Sequence, residues 1–135
     1  MSLDVYLERK KWTSYDAGVT FTESIEMEYS RNITHNLWEM AEKAGIYEAL
    51  WRPYMLKESY NEDCPEDFEQ ENPTKACEII SLLEKWLKDL KKRPKYFKKF
   101  NAENGWGTYE HFVPFVEDYL LACKKYPDCF ISVSR

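Results

Sequence analysis

The chain alternates with a period of two at both ends and takes a helical period in its middle, so its sheet has to be closed from the two termini. Leu3, Val5 and Leu7 stand on one side and Asp4, Tyr6 and Glu8 on the other, which is the pattern of a strand with one buried face. Near the other end, Cys129, Ile131 and Val133 alternate with Phe130, Ser132 and Ser134. These first and last strands are expected to be neighbours. A further alternation, Ile25, Met27 and Tyr29 against Glu26, Glu28 and Ser30, follows a turn expected near Asp16-Ala17-Gly18. Val19 to Thr22 reads as the start of that same strand, with a bulge before it resumes.

From Ile33 the apolar spacing becomes Ile33, Leu37, Met40, Ala41 and Ala44, closed by Gly45 where a helix end needs a left-handed residue. Ile46 to Trp51 reads as a further helical turn, ended before Arg52-Pro53 because the residue ahead of a proline is pushed out of helical space. Residues 58 to 71 carry seven acids and no base, the composition of a solvated loop. Asn72-Pro73 starts a long helix with Asn as cap and Pro at the first helical position. Its stripe, Ala76, Ile79, Ile80, Leu83, Trp86, Leu87 and Leu90, runs to Arg93, and Pro94 stops it. A last helix begins near Thr108, turns Phe112, Val116, Tyr119, Leu120 and Cys123 inward, and ends at Tyr126 before Pro127. Pro114 requires it either to start near Val113 or to bend there. The expected fold is therefore α+β, a small, mainly antiparallel three-stranded sheet packed against three main helices. Residues 1 to 135 form one domain, since so short a chain has no room for two cores.

Composition narrows the function classes. The chain has 22 aromatic residues, counting five Trp, ten Tyr and seven Phe, with only four Gly. This excludes linker and low-complexity readings and asks for a heavy aromatic core. No run of about 18 apolar residues offers a membrane span. The start, Met1-Ser2-Leu3-Asp4-Val5, lacks the basic then apolar layout of a secretion signal, so a cytosolic protein is expected. Cys64, Cys77, Cys123 and Cys129 form no C-x-x-C pair and are expected to be reduced, with Cys77 and Cys123 packed on helical stripes. The net charge is -5, which argues against general nucleic-acid binding. Lys85 to Lys99 nonetheless holds eight bases and one acid. That run reads either as a patch for phosphates or an acidic partner, with Tyr96 and Phe97 as stacking surfaces, or as the wet face of an amphipathic helix lying against the acidic segment.

Two stretches could carry chemistry. Asn32-Ile33-Thr34-His35-Asn36 gathers short polar side chains and an imidazole at an expected helix start, where free N–H groups hold anions. Asn32 or Thr34 could equally serve only as the cap. Asn104-Gly105-Trp106-Gly107-Thr108-Tyr109-Glu110 sets one Trp between two of the four glycines, either to offer flat surfaces to a ring or to plug the core through a tight turn. Trp51 beside Arg52 completes the candidate ligand site, with Arg52 as phosphate partner. His35 with Glu39, and His111 beside Glu110, lack a further ligand at metal spacing, so neither a metal nor another cofactor is expected. No Ser or Cys nucleophile is placed near His35, and no catalytic residue is assigned.

The segments Asn32 to Asn36, Gly45-Ile46-Tyr47, Leu50 to Pro53, Asn104 to Glu110, Ala122-Cys123, Tyr126-Pro127-Asp128 and Val133-Ser134-Arg135 together resemble a family of small uncharacterised bacteriophage and prophage proteins. The resemblance covers residues 3 to 8 and most of 30 to 135; the acidic stretch from Lys57 to Asn72 departs from it and receives no site. It implies a phage accessory product in the bacterial host cytoplasm. Its partner would be a small nucleotide-like ligand, such as a defence signal to be sequestered, or a host defence protein to be blocked; a hydrolase of a nucleotide-like substrate is the third reading, and the protein could self-associate.

Overall fold

The computed structural model describes the chain apart from Met1, residues 16 to 19, Asn61, Glu62 and Cys64, and apart from the side chains of residues 11 to 23. The turn expected at Asp16-Ala17-Gly18, the start at Val19 and the thiol of Cys64 lie outside the described residues. Strand β1, Ser2–Tyr15, is central: it pairs antiparallel with β2, Thr20–Thr34, and over Asp4 to Glu8 with β3, Phe130–Ser134. The two ends of the chain therefore meet in one sheet, and the architecture is α+β.

Leu3, Val5 and Leu7 are fully buried on the inner face of β1. Against them lie α1, Trp38–Lys43, α2, Tyr47–Trp51, α4, Ile80–Lys92, and α6, Tyr109–Lys125, with α3, Pro65–Glu71, and α5, Pro94–Phe97, between them in the chain. No helix of the described residues is long and apolar enough to cross a membrane. The core takes up Phe97, Phe112, Phe115 and Tyr119 as well as Trp51, so much of the aromatic surplus is packing.

Several boundaries differ from the sequence expectation. The bulge lies within β2 at Glu28, since Leu7 pairs with Tyr29 but Glu8 with Met27. One extra residue reverses the alternation, so Ile25 and Met27 share the outer face with Lys10 and Glu8, while Tyr29 stays with Leu7 on the inner one. Ile33 and Thr34 belong to β2, and His35–Leu37 is a single 3-10 turn before the short α1. The long helix begins at Ile80 rather than Asn72. Thr74 and Lys75 are used instead by the sheet edge, where Lys75 bridges to Phe130 and the Ile131 N–H donates to the Thr74 carbonyl at 2.8 Å. Pro94 ends that helix and opens α5. α6 starts at Tyr109 and runs through Pro114.

The acidic segment is not a loop throughout. Pro65–Glu71 is helical, because Phe68 packs on Tyr54 and Tyr60 with ring centroids 6.5 and 5.4 Å away. The basic run pairs with α6 through Lys91 with Glu117 and Lys98 with Glu110. Cys123 is buried as expected, but Cys77 is exposed because its turn lies on the surface ahead of α4.

Gly45 adopts φ +80°, and a Cβ there would come within 3.0 Å of the Trp86 ring. Two penalties coincide: about 1–2 kcal/mol for left-handed backbone and about 1–3 kcal/mol for forcing the indole aside. Gly45→Ala is expected to destabilise the fold by about 2 kcal/mol or more, read as a lower urea midpoint with an unchanged m-value; an unchanged midpoint would show that Trp86 does not rest on this turn.

Candidate functional site

β2 delivers Asn32 and Thr34 to its end, and the chain then turns at His35. The Thr34 hydroxyl caps this turn by accepting from the Asn36 N–H at 3.4 Å. Because α1 has only six residues and begins at Trp38, the expected anion-holding helix start is not formed here. What the turn does instead is present the Asn36 amide to the 104–107 loop.

That loop is built from its own polar groups. The Trp106 N–H donates to Asn104 Oδ1 at 2.9 Å, and the Ala102 N–H to the Gly107 carbonyl at 2.9 Å. Asn36 Nδ2 then donates to the Trp106 carbonyl at 2.9 Å, which joins the two candidate segments. Gly107, at φ +115°, is required: a Cβ would stand 3.1 Å from Thr34 Cγ2 and 3.2 Å from Asn36 Cβ. The Trp106 ring is left outside, 71% exposed. Of the two roles open to it, it does not plug the core.

Beside the joined segments lies a groove of about 360 Å³, lined by Arg31, Asn32, Thr34, Trp106 and His111 with Phe115 at its floor. Arg31 shares the inner face of β2 with Tyr29, and both reach Asp118 on α6. Tyr29 donates to Asp118 Oδ2 at 2.6 Å and Arg31 Nη1 lies 2.8 Å from the same oxygen. The Tyr29 and Arg31 donors hold the Asp118 carboxyl below the usual carboxylate range. Burial, reinforced by the bond to Asp118, pushes the Tyr29 phenol far up. His111 Nδ1 lies 3.0 Å from the Thr108 hydroxyl, one turn of bonding that orients its ring at the groove mouth. A guanidinium, an imidazole, two short polar side chains and an exposed indole thus share one depression. Such a set matches a ligand with an anion at one end and a flat ring at the other.

The other expected site residues lie elsewhere. Trp51 is 1% exposed, stacked on Tyr47 with ring centroids 5.2 Å apart, and donates to His35 Nδ1 at 3.2 Å. His35 therefore accepts at Nδ1 and carries its proton at Nε2 when neutral. Arg52 donates to the Tyr54 hydroxyl at 3.0 Å, which with Tyr47 holds its guanidinium above its ordinary range. The C-terminal Arg135 closes this second cluster, donating to the Trp51 carbonyl at 2.9 Å and to both oxygens of Glu69 at 3.1 and 3.0 Å. Tyr109 spends its hydroxyl on the Leu90 carbonyl. Asn104, with Asn36, lines a separate depression next to Trp38. His35, Arg52 and Trp106 do not line one common pocket.

Arg31 and Phe115 escaped the sequence reading, which weighs His111 only as a metal ligand. Arg31 shares the two-residue period of Tyr29 and Ile33, a signal that was legible once β2 was followed to Thr34. Among the described residues no cluster of three or more His, Cys, Asp or Glu is placed to hold a metal ion. No family model matches the chain, and neither curated proteins nor solved structures give a match.

The Asp118 carboxyl sets a pH test. Its folded pKa lies below the unfolded value, so its contribution is present above about pH 4 and is lost as pH falls through the folded value. The stability gap between the wild type and Asp118→Asn is expected at neutral pH and should close on acidification below that point in urea melts. A gap that persists unchanged into acid would mean that the bonds from Tyr29 and Arg31 are not what Asp118 contributes.

Proposed function

We propose that the protein is a non-catalytic binding protein that holds a small, phosphate-containing, nucleotide-like ligand in the groove between the end of β2, the Trp106 turn and the start of α6. The observation that carries this reading is the Trp106 indole, 71% exposed above a groove also lined by Arg31 and His111. A protein has reason to keep so large an apolar ring outside when it serves as a contact surface. The volume, about 360 Å³, is at the small end of ligand sites, which fits one nucleotide better than a polymer. Phosphate falls to Arg31 in this reading because Arg31 lines the groove and Arg52 does not; the ligand would share the Arg31 guanidinium with Asp118.

The motif resemblance to phage and prophage proteins supports a setting in the cytoplasm of an infected bacterium, where the ligand would be a nucleotide signal of host defence and binding would withhold it from its receptor. The blocking of a defence protein through the acidic segment has less support, since Phe68 and Glu69 are engaged within the chain. Hydrolysis through His35 is also less supported, because that ring is bonded to Trp51 away from the groove.

Isothermal titration with AMP, ADP and inorganic phosphate tests the reading. AMP and ADP are expected to bind one per chain, phosphate more weakly, and mass spectrometry should recover each nucleotide unchanged. Trp106→Ala should weaken nucleotide binding by about tenfold or more, the worth of one ring stacked on a base, without altering phosphate binding. Absence of nucleotide binding, or equal affinity in Trp106→Ala, would overturn the proposal, and recovery of a cleaved nucleotide would replace it with the enzyme reading.

A further inference from the structure

The helices pack on the inner face of the sheet, where Leu3, Val5 and Leu7 are buried, and among the described residues of the outer face Lys10, Ile25 and Met27 are exposed. On that face the strand register sets Glu8 between Met27 and Phe130, and the next outward residue of β1, Lys10, beside Ile25. Met27 and Ile25 are 56% and 63% exposed, and the bulge at Glu28 is what turns both of them outward. β3 pairs no further along β1 than Glu8. Beyond it β1 and β2 continue as a ribbon of two strands, which is marginal in water without a further layer.

We infer that this face is the docking surface for a second copy of the chain, the two outer faces stacking about a two-fold axis. The argument is charge complementarity. A two-fold contact sets residue i against residue j and residue j against residue i, so a surface suits its own copy when an acid and a base stand side by side along it. Glu8 and Lys10 do so on β1, with Met27 and Ile25 level with them on β2. An axis crossing the ribbon between those two rows brings Glu8 against the partner's Lys10 and Met27 against the partner's Ile25, apolar on apolar and acid on base. The strands of the two sheets then run in line, the arrangement in which sheets stack. Lys10 also makes an interaction within its own chain, which the contact with the second copy supplements. The ribbon gains in this way a further layer on its outer face. The ligand groove lies at the Arg31 to Thr34 end of β2 and at the Trp106 turn, not at the rows of Met27 and Ile25, so dimerisation and ligand binding are separate properties.

Sedimentation velocity over rising protein concentration reads the outcome. The wild type is expected at twice the mass of one 16.2 kDa chain. Ile25→Lys with Met27→Lys should return it to a single chain while circular dichroism shows the same fold. Glu8→Lys alone should raise the dimer dissociation constant by about tenfold, since two exposed pairs become repulsive, and Lys10→Glu alone should act alike. The double exchange, Glu8→Lys with Lys10→Glu, rebuilds the self-complementary pattern and should restore the dimer. A wild type that sediments as one chain at every concentration overturns the inference, as does a double exchange no better than either single variant.

Discussion

The architecture depends on β1 having partners on both sides. Between Asp4 and Glu8 it pairs with β2 on one edge and with β3 on the other, and the fully buried row of Leu3, Val5 and Leu7 lies in or next to that stretch. A three-stranded sheet with one face covered is near the lower limit of independent stability. Its third strand, Phe130–Ser134, is brought back beside the first by the helices that lie between them in the chain. The Thr74 and Lys75 contacts to β3 show how that return is secured. They draw on residues that would otherwise have lengthened α4.

The same closure places Arg135 beside Trp51 and Glu69, tying the end of the chain to α2 and α3. His35 is drawn into that cluster through the Trp51 indole. A few ångströms along the chain, Asn36 turns the other way and holds the Trp106 carbonyl. The turn after β2 is thus divided: one side chain serves the interior, the next supports the groove. Gly107 permits the close approach, and the exposed Trp106 ring is its consequence.

Much of the fold was legible in the chain. The alternation at Leu3 to Leu7 and at Cys129 to Val133, the left-handed Gly45 and the stripe of α6 all follow local physics, in which side-chain period and backbone sterics act within a few residues. The misreadings share one cause. Asn72-Pro73 is a good helix start by local rules, yet Thr74 and Lys75 bond to a strand far along the chain. The acidic segment has a loop composition, yet Phe68 finds Tyr54 and Tyr60. Cys77 lies between the buried Ala76 and Ile79, yet its N–H donates to the Pro127 carbonyl in a surface turn that leaves its thiol exposed. In each case a distant partner outweighed a local preference worth only about 1 kcal/mol.

The candidate site divides along the same line. The sequence by itself determined that Asn32 to Asn36 and Asn104 to Tyr109 were unusual stretches, and that Trp106 between two glycines needed an explanation other than a helical stripe. Only the tertiary structure decided that these stretches touch, that Trp106 lies outside while Trp51 lies inside, and that Arg31 and His111 complete the groove in place of Arg52. Residue type and spacing record what a side chain can do. Which groups it meets depends on contacts between segments about seventy residues apart, such as Asn36 with Trp106, and these are settled by packing that no local period encodes.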